Sequence, residues 1–188
     1  AETWHSDWSF QDVPPAGTCL FGITIPPVGG DTLFANQQKA WEDMPDDMRA
    51  KFEGLKAVHS AALGYSKGGL YGERDGEDRS MDIIHSDAAL ATHTHDLIRA
   101  HPETGREAIF SSVAYISGFE GYSKEDAKVL LMELYHWQTR SEFQYRHTWQ
   151  SNMLIMWDNR SLIHMATGGY DGYDRLLHRT TIGERVFV

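Results

Sequence analysis

Short apolar runs alternate with polar, glycine-containing segments along most of the chain, a pattern that predicts many strands and few helices. Residues 18–27 have the β-branched and aromatic content of a strand. A turn at Gly29 and Gly30 leads into a second predicted strand at 31–35. The first part of the chain is therefore expected to be rich in strands.

Two short helices are expected next. Asn36 is a suitable N-cap for a helix through Trp41, and Pro45 suits the first turn of the helix that follows. Three apolar residues recur at helical spacing in the second helix and form an inward stripe: Met48, Phe52 and Leu55. We interpret this stripe as core packing.

A longer helix is expected to begin near Ser123, because Ser123 and Asp126 are spaced as in a capping box. Five apolar residues then share one face of this helix: Ala127, Leu130, Leu131, Leu134 and Trp137. The face predicts a helix that packs on the core.

Four later segments predict further strands, at 107–115, 143–149, 153–157 and 175–182. Segment 143–149 alternates aromatic and polar residues, as a half-buried strand does, whereas the apolar run 153–157 is typical of a buried strand. Such a sequence indicates a mainly β fold with flanking α-helices, of the double-sheet jelly-roll type.

Residues 64–79 contain five glycines and seven charged residues. Such a segment cannot bury itself, so we expect a mobile loop. Two roles are left open for this loop: a solvated connection, or a lid that closes over bound substrate.

Composition narrows the classes of function. With 188 residues, 41% of them hydrophobic, the chain is expected to form one globular domain. A net charge of −10 without any run of Lys or Arg argues against nucleic acid as a partner. No apolar stretch has the length of a membrane span. The single cysteine, Cys19, cannot form an internal disulfide, so we expect the protein to be located in the reducing cytoplasm. We expect Cys19 itself to be a small core residue.

The candidate chemistry begins with His5-Ser6-Asp7. On a strand, the His5 and Asp7 side chains point to the same face, so both can reach one metal ion. Two imidazoles and one carboxylate hold non-haem iron(II) and leave positions open for a cosubstrate and oxygen. An H-x-D pair alone occurs by chance in many proteins. A competing pair, His93 and His95, is followed by no comparable arginine pattern.

Three motifs in a fixed order carry a specific resemblance: WHSD at the start, GGDTLFAN after it, and WDNRSLIH far downstream. From about Trp4 to Gly183, the chain resembles the taurine dioxygenase (TauD/TfdA) family of iron(II)- and 2-oxoglutarate-dependent dioxygenases. The resemblance implies a double-stranded β-helix, the cupin-like jelly roll. In the family, the first strands precede the H-x-D motif. Residues 1–188 are therefore expected to be a single domain of a longer chain, without its N-terminal strands.

By resemblance, His5, Asp7 and His164 are the catalytic residues that bind the metal. His164 lies 157 positions beyond Asp7 (164 − 7), so only tertiary structure can bring the two together. Its choice among ten histidines rests on the WDNRSLIH motif. Six others are expected to be surface or core residues: His59, His85, His101, His136, His147 and His178.

The resemblance also assigns the cosubstrate contacts. Arg175 forms a salt bridge to the distal carboxylate of 2-oxoglutarate, and the Thr32 hydroxyl hydrogen-bonds to it. Arg179 stands beside the iron and faces the other carboxylate of the cosubstrate, and often the anionic group of the substrate. The even separation of the two arginines places both on one strand face. The alternative is that one of them pairs with Asp171 or Asp174 on the surface.

Further positions follow from the same resemblance. Trp8 and Tyr115 match residues that line the substrate pocket in relatives, with plain core packing as the alternative. Asp158 and Asn159 are expected to support the strand that leads to His164.

The implied reaction consumes 2-oxoglutarate and O2 at Fe(II), releases succinate and CO2, and hydroxylates a small organic anion. Taurine or another alkylsulfonate is the favoured substrate, and a phenoxyalkanoate or an alkyl sulfate is the alternative within the family. Two interpretations from other classes stay open: a zinc-dependent cupin-like hydrolase or isomerase, and a catalytically silent binding protein. Relatives often form dimers or tetramers, so a homo-oligomer is also left open.

Overall fold

The computed structural model of the protein describes residues 2–69 and 86–183, in which strands dominate. The strands of this part of the chain are β1 (Gly17–Thr24), β2 (Thr32–Asn36), β3 (Lys56–Ser60), β4 (Thr92–Asp96), β5 (Ile98–Ala100), β6 (Glu107–Ile109), β7 (Ile116–Phe119), β8 (Gln144–His147), β9 (Leu154–Asp158), β10 (Leu162–Ala166) and β11 (Leu176–Ile182). The α-helices are α1 (Gln37–Glu42), α2 (Asp46–Phe52), α3 (Ala62–Tyr65) and α4 (Lys124–Gln138). The predicted mainly β fold with few helices is confirmed.

Two antiparallel three-stranded sheets enclose the candidate site. We call them the β1 sheet, in the order β11-β1-β9, and the β2 sheet, in the order β10-β2-β8. The segment at 5–7 touches both sheets. Asp7 accepts a hydrogen bond from Thr18 of the β1 sheet, and His5 pairs through its backbone with His164 of the β2 sheet. Residues 5–7 therefore connect the two sheets.

The larger hydrophobic core lies beside these two sheets. A third sheet, in the order β4-β3-β7, and the β5-β6 hairpin pack with α1, α2 and α4 around it. Its largest fully buried side chains include Phe52, Leu97 and Leu134. A smaller cluster of Trp4, Ala35 and Ile163 lies next to the candidate site, so the residues flanking that site are held by core packing.

The two predicted N-caps, at Asn36 and Ser123, are confirmed. The Asn36 side chain accepts from the backbone N–H of Lys39 at 3.0 Å, and Ser123 accepts from that of Asp126 at 3.1 Å. Pro45 stands at the position just before α2 rather than within its first turn. Both predicted apolar stripes pack into the larger core, but α2 ends at Phe52, so Leu55 of the predicted stripe lies beyond the helix.

The strand predicted at 107–115 is too long, because β6 ends at Ile109. After it the backbone turns, and the N–H of Tyr115 donates to the carbonyl of Ser112 at 3.0 Å, which a strand does not allow. The strand predicted at 143–149 is shortened to β8, and Tyr145 is 63% exposed although the alternating pattern placed it inward.

The strand predicted at 153–157 forms as β9, but the prediction that it is buried is wrong. Leu154 is 63% exposed and Met156 is 69% exposed. β9 lies at the edge of the β1 sheet, and these two side chains share the face that points away from the candidate site. An apolar run therefore indicated a strand correctly without indicating what covers it.

The loop predicted at 64–79 lies only partly within the described residues. Residues 64–69 end α3 and form a turn, in which Gly69 donates its backbone N–H to Ser66 at 2.9 Å. Residues 70–79 lie outside the described part, so the lid stays a prediction. Cys19 is free and only half-buried. Of the helices described, none has both the length and the apolar character needed to cross a membrane.

Candidate metal centre

His5 and His164 are held together by their own backbones. The N–H of His5 donates to the carbonyl of His164 at 3.0 Å, and the N–H of His164 donates back at 2.8 Å. This is the reciprocal pair of an antiparallel bridge, in which opposed side chains lie on the same face. The two imidazole rings consequently lie with their centroids 4.3 Å apart.

Asp7 completes a group of three buried ligands. Its Oδ1 lies 3.7 Å from Nε2 of His5, and its Oδ2 lies 3.9 Å from Nε2 of His164. One donor atom from each of the three residues lies within 4.8 Å of the other two. The fold therefore brings together side chains that are far apart in the sequence.

The hydrogen bonds of His5 orient its ring. Its Nδ1 lies 2.7 Å from the carbonyl oxygen of Thr3, which can only accept, so Nδ1 carries the proton. The lone pair of Nε2 is then available on the side of Asp7. Nδ1 of His164 is buried and has no hydrogen-bond partner among the described residues. Burial lowers the pKa of His5, against the opposing effect of Asp7, and holds the pKa of His164 well below its usual value.

These properties fit a bound divalent metal ion. Neutral imidazoles and an ionised carboxylate are the forms that bind metals, and burial keeps both imidazoles neutral. Two nitrogens and one oxygen on one side of an ion are the ligand set of non-haem iron(II), and zinc accepts the same atoms. The donor set of His5, Asp7 and His164 therefore fits such an ion without choosing between the two metals.

Arg179 stands at the edge of this group. It lies on β11, and its Nη1 lies 3.2 Å from Oδ1 of Asp7. Its guanidinium also lies 5.5 Å from the ring centroid of Trp8, a cation–π distance. Trp8 has a backbone φ of 47°, in the left-handed region that a bulky residue rarely adopts. The turn that follows Asp7 thus brings the Trp8 indole against the arginine.

Arg175 is placed differently. Its Nη2 donates to the carbonyl of Gly30 at 3.0 Å, and its Nε is buried without a hydrogen-bond partner among the described residues. Burial lowers the pKa of this guanidinium, and no described carboxylate pairs with it. Neither Asp171 nor Asp174 forms an ion pair with Arg175 or Arg179 in the described residues.

Thr32 lies two residues after Gly30, so its hydroxyl and the Arg175 guanidinium occupy the same region of the fold. Thr32 is 4% exposed, and its hydroxyl oxygen accepts from Nε1 of Trp149 at 3.0 Å. That bond leaves the hydroxyl proton of Thr32 free to donate. A buried guanidinium and an available hydroxyl donor are suited to a carboxylate ligand.

Tyr115 lies on another side of the ligand group. It is 7% exposed, and its ring stands edge-on to that of His5 at 6.3 Å between centroids. The same residue helps to line a cavity of about 670 Å³, together with Ser60, Ser66, Thr92, Ile116 and Ser117. Tyr115 therefore contacts both the ligand group and this cavity.

The competing histidines form no group of three metal ligands among the described residues. Nε2 of His95 lies 2.9 Å from the carbonyl of Gln11, and Nδ1 of His59 lies 3.0 Å from the Ser9 hydroxyl. Nδ1 of His93 faces Asp12 at 3.7 Å. In residues 2–69 and 86–183, His5, Asp7 and His164 form the only group of three such ligands with mutually close donor atoms. His85 lies outside these ranges.

Two contacts of Asp7 and Thr32 were missed by sequence reasoning. Thr18 donates to Oδ2 of Asp7 at 2.7 Å, and Trp149 donates to Thr32. In the sequence, both residues only mark strands, and no motif singles them out. Asn159 was expected to support the strand that leads to His164, and its amide donates to Thr18 at 3.0 Å. Asp158 pairs with Arg160 and His101.

The chain is similar to known proteins over nearly its whole length. Residues 1–181 match the family described as Taurine catabolism dioxygenase TauD, TfdA family. The alpha-ketoglutarate-dependent 2,4-dichlorophenoxyacetate dioxygenase of Burkholderia sp. (strain RASC) is 34% identical over 98% of the chain and 59% of its own length. The alkylsulfatase of Acinetobacter baylyi is 32% identical over 99% of the chain and 58% of its own length.

A solved structure is similar to the chain over nearly its whole length. AAD-2, in complex with Mn(II) and N-oxalylglycine, has a TM-score of 0.82 to this fold at 29% identity, over 98% of the chain and 60% of its own. The chain spans about three fifths of the length of the two curated relatives described above.

Proposed function

The chain belongs to the Taurine catabolism dioxygenase TauD, TfdA family, and we propose that it acts as an Fe(II)- and 2-oxoglutarate-dependent dioxygenase that hydroxylates a small organic anion. The observation that carries this proposal is the convergence of His5, Asp7 and His164 in a buried group. Succinate and CO2 are the expected coproducts.

His5, Asp7 and His164 would hold the iron. When bound, iron with 2-oxoglutarate and O2 supplies the oxidising chemistry that the side chains lack. The protein contributes the position and the charge state of the three ligands. The bond from His5 to Thr3 keeps the ligating nitrogen free of its proton, and the reciprocal backbone bridge fixes the distance between the two rings.

Arg175 and Thr32 would bind the distal carboxylate of 2-oxoglutarate. The guanidinium is partly buried and lacks a carboxylate partner among the described residues, so an entering carboxylate would satisfy its buried Nε. The Thr32 hydroxyl, which accepts a hydrogen bond from Trp149, would donate a hydrogen bond to the same carboxylate. A planar guanidinium can form two parallel hydrogen bonds with such a ligand.

Arg179, Trp8 and Tyr115 would orient the substrate. Arg179 is part-exposed beside Asp7, and its guanidinium lies over the Trp8 ring, so it would offer its charge to an anionic group of the substrate. Tyr115 packs against His5 and borders the large cavity, where it would exclude water from the reacting carbon.

For the substrate, we propose an alkylsulfonate such as taurine first. The second candidate is a phenoxyalkanoate or an alkyl sulfate, because relatives with these activities in their names are 34% and 32% identical to the chain. All of these compounds carry a single anionic group that Arg179 could face. The choice among them is left to the experiment.

We further propose that residues 1–188 form a single domain with the double-stranded β-helix topology of the jelly roll. The two three-stranded sheets that both contact the ligand group support this proposal. The free thiol of Cys19 suits a cytoplasmic location. A homo-oligomer is left for hydrodynamic measurement.

The test is succinate release from 2-oxoglutarate by the full-length protein with Fe(II), ascorbate and O2. NMR would follow taurine, other sulfonates, alkyl sulfates and phenoxyacetates in parallel. We expect succinate to rise with one compound, together with its oxidised product. The Asp7→Ala variant, which loses one ligand, should fold and release none.

Turnover that persists in Asp7→Ala would refute the assignment of the three ligands. Zinc bound in place of iron, with activity that needs no O2 and no 2-oxoglutarate, would instead support the hydrolase or isomerase. Metal analysis and an oxygen-free assay separate these outcomes.

A further inference from the structure

The Thr18 hydroxyl is buried against the proposed metal ligand Asp7. Thr18 lies on β1 with none of its surface exposed, and its hydroxyl donates to Oδ2 of Asp7 at 2.7 Å. The other carboxylate oxygen, Oδ1, faces Nη1 of Arg179 at 3.2 Å. Each oxygen of Asp7 therefore has one donor, and the plane of the carboxylate is held from both sides.

The proton of Thr18 can point in only one direction. The indole Nε1–H of Trp157 is purely a donor, and it lies 3.0 Å from Oδ1 of Asn159. This contact fixes which end of the Asn159 amide is oxygen. The NH2 end then donates to the Thr18 hydroxyl oxygen at 3.0 Å. Because Thr18 accepts there, its single proton goes to Asp7.

The same network also holds the backbone around Asp7. The Ser6 hydroxyl donates to the carbonyl of Asn159 at 2.9 Å, and the N–H of Asn159 donates to the carbonyl of Ala16 at 2.9 Å. Asn159 is 2% exposed. It thus links the ligand segment, the start of β1 and the end of β9 in one water-excluded cluster, in which misplaced donors are costly.

We propose that Thr18 is a positioning residue, which sets the orientation of the Asp7 carboxylate through a hydrogen-bond chain that begins at Trp157 and passes through Asn159. This inference rests on the proposed metal site. Groups that orient a ligand from behind typically change metal affinity 10- to 100-fold when they are removed. Thr18 should therefore control metal affinity without touching the ion.

The test measures metal binding rather than turnover. Anaerobic titration of the full-length protein with Co(II) gives both a Kd and a visible absorption spectrum that reports ligand geometry. For Thr18→Val, which keeps the shape and removes the hydroxyl, we expect a Kd about 10- to 100-fold higher and an altered spectrum. Thr18→Ser, which restores the donor, should recover both.

A matched control separates this effect from general damage to the sheet. Thr180→Val changes an exposed threonine on β11 of the same sheet, and it should leave the Kd unchanged. A wild-type Kd and spectrum in Thr18→Val would overturn the inference, as would equal weakening by Thr180→Val or by Thr18→Ser.

Folding is checked in the metal-free state by circular dichroism and thermal unfolding. If Thr18→Val does not fold, Trp157→Phe tests the proposal in its place. This variant removes the first donor of the hydrogen-bond chain and should raise the Kd to a smaller extent. An unchanged Kd in that variant would contradict the proposal. A wild-type protein that binds no metal would instead refute the proposed function.

Discussion

Among single residues, Arg175 is notable because its guanidinium has no carboxylate partner among the described residues. A guanidinium that is half removed from water would ordinarily meet a carboxylate of the protein, and the described residues provide none. Arg146, by contrast, is mostly exposed and pairs with Asp31 at 3.0 Å. Arg175 is thus a partly buried cation without an acidic partner among the described residues, whereas Arg146 is an exposed cation with one.

Replacement of Arg175 by Leu should mainly affect the cosubstrate. Loss of one member of a buried charge pair costs about 2–5 kcal/mol, so we expect the KM for 2-oxoglutarate to rise by about 30-fold or more. Arg175→Lys should recover part of the loss, because it keeps the charge without the fork. Steady-state kinetics with Arg146→Leu as the control would check this. An unchanged KM in Arg175→Leu would show that the cosubstrate binds elsewhere.

His59 contributes to the pH dependence of stability. Burial, and to a smaller extent His95 and Arg99, lower its pKa from 6.5 to about 3. Between these values the unfolded chain binds a proton that the folded protein excludes. The free energy of unfolding should therefore fall with decreasing pH through this window, by up to about 1.4 kcal/mol per pH unit from this residue.

Urea unfolding between pH 4.5 and 7.5 measures that slope. In His59→Phe, the free energy of unfolding should depend less steeply on pH than in the wild type, because the contribution of His59 is lost. The other buried histidines remain, so some dependence should persist. His136→Gln, at an exposed position on α4, should keep the wild-type slope. Equal slopes in the wild type and His59→Phe would mean that His59 is protonated in the folded state.

At the scale of elements, the turn before β2 determines where Arg175 can lie. Gly30 has a φ of +71°, and a Cβ there would come within 2.9 Å of Nε of Arg175. Gly54, after α2, has a φ of +74° and nothing within 4 Å of such a Cβ. Both glycines therefore have a positive φ, but only at Gly30 would a Cβ meet a neighbouring side chain.

Alanine at the two positions should separate these effects. Gly54→Ala should cost about 1 kcal/mol from backbone strain alone. Gly30→Ala should cost more and should also weaken 2-oxoglutarate binding, because the new methyl displaces the guanidinium. Chemical unfolding and a binding titration of both variants check this. If Gly30→Ala changes stability only, the turn does not control the arginine.

At the scale of the whole molecule, the side chains of the two sheets range from fully buried to largely exposed. Ile163 of the β2 sheet is 1% exposed, whereas Met156 of the β1 sheet is 69% exposed. The face of β9 that carries Leu154 and Met156 has no cover among the described residues. An apolar side chain in such a place contributes little to folding.

The stability of paired variants tests this asymmetry. Met156→Ser should change the free energy of unfolding by no more than about 0.5 kcal/mol, as is usual at an exposed position. Ile163→Ala should cost about 2–5 kcal/mol through lost burial and a new cavity. Urea unfolding gives both values. A cost for Met156→Ser as large as that for Ile163→Ala would mean that this face of β9 is covered in solution.

The sequence by itself determined local structure and the identity of the candidate ligands. Helix caps at Asn36 and Ser123, and the apolar face of α4, depend on neighbours within a few positions, so pattern reasoning predicted them. His164 was chosen from a motif that surrounds it. Such features are local and can be seen along the chain.

Only the tertiary structure decided what meets across the fold. The contact of Thr18 with Asp7, the unpaired Nε of Arg175 and the exposure of Met156 all depend on how sheets pair and what lies over them. A threonine in a strand has the same local pattern whether its hydroxyl faces solvent or a buried carboxylate. Hydrogen bonding and burial at these positions involve residues distant in sequence, and no local pattern encodes them.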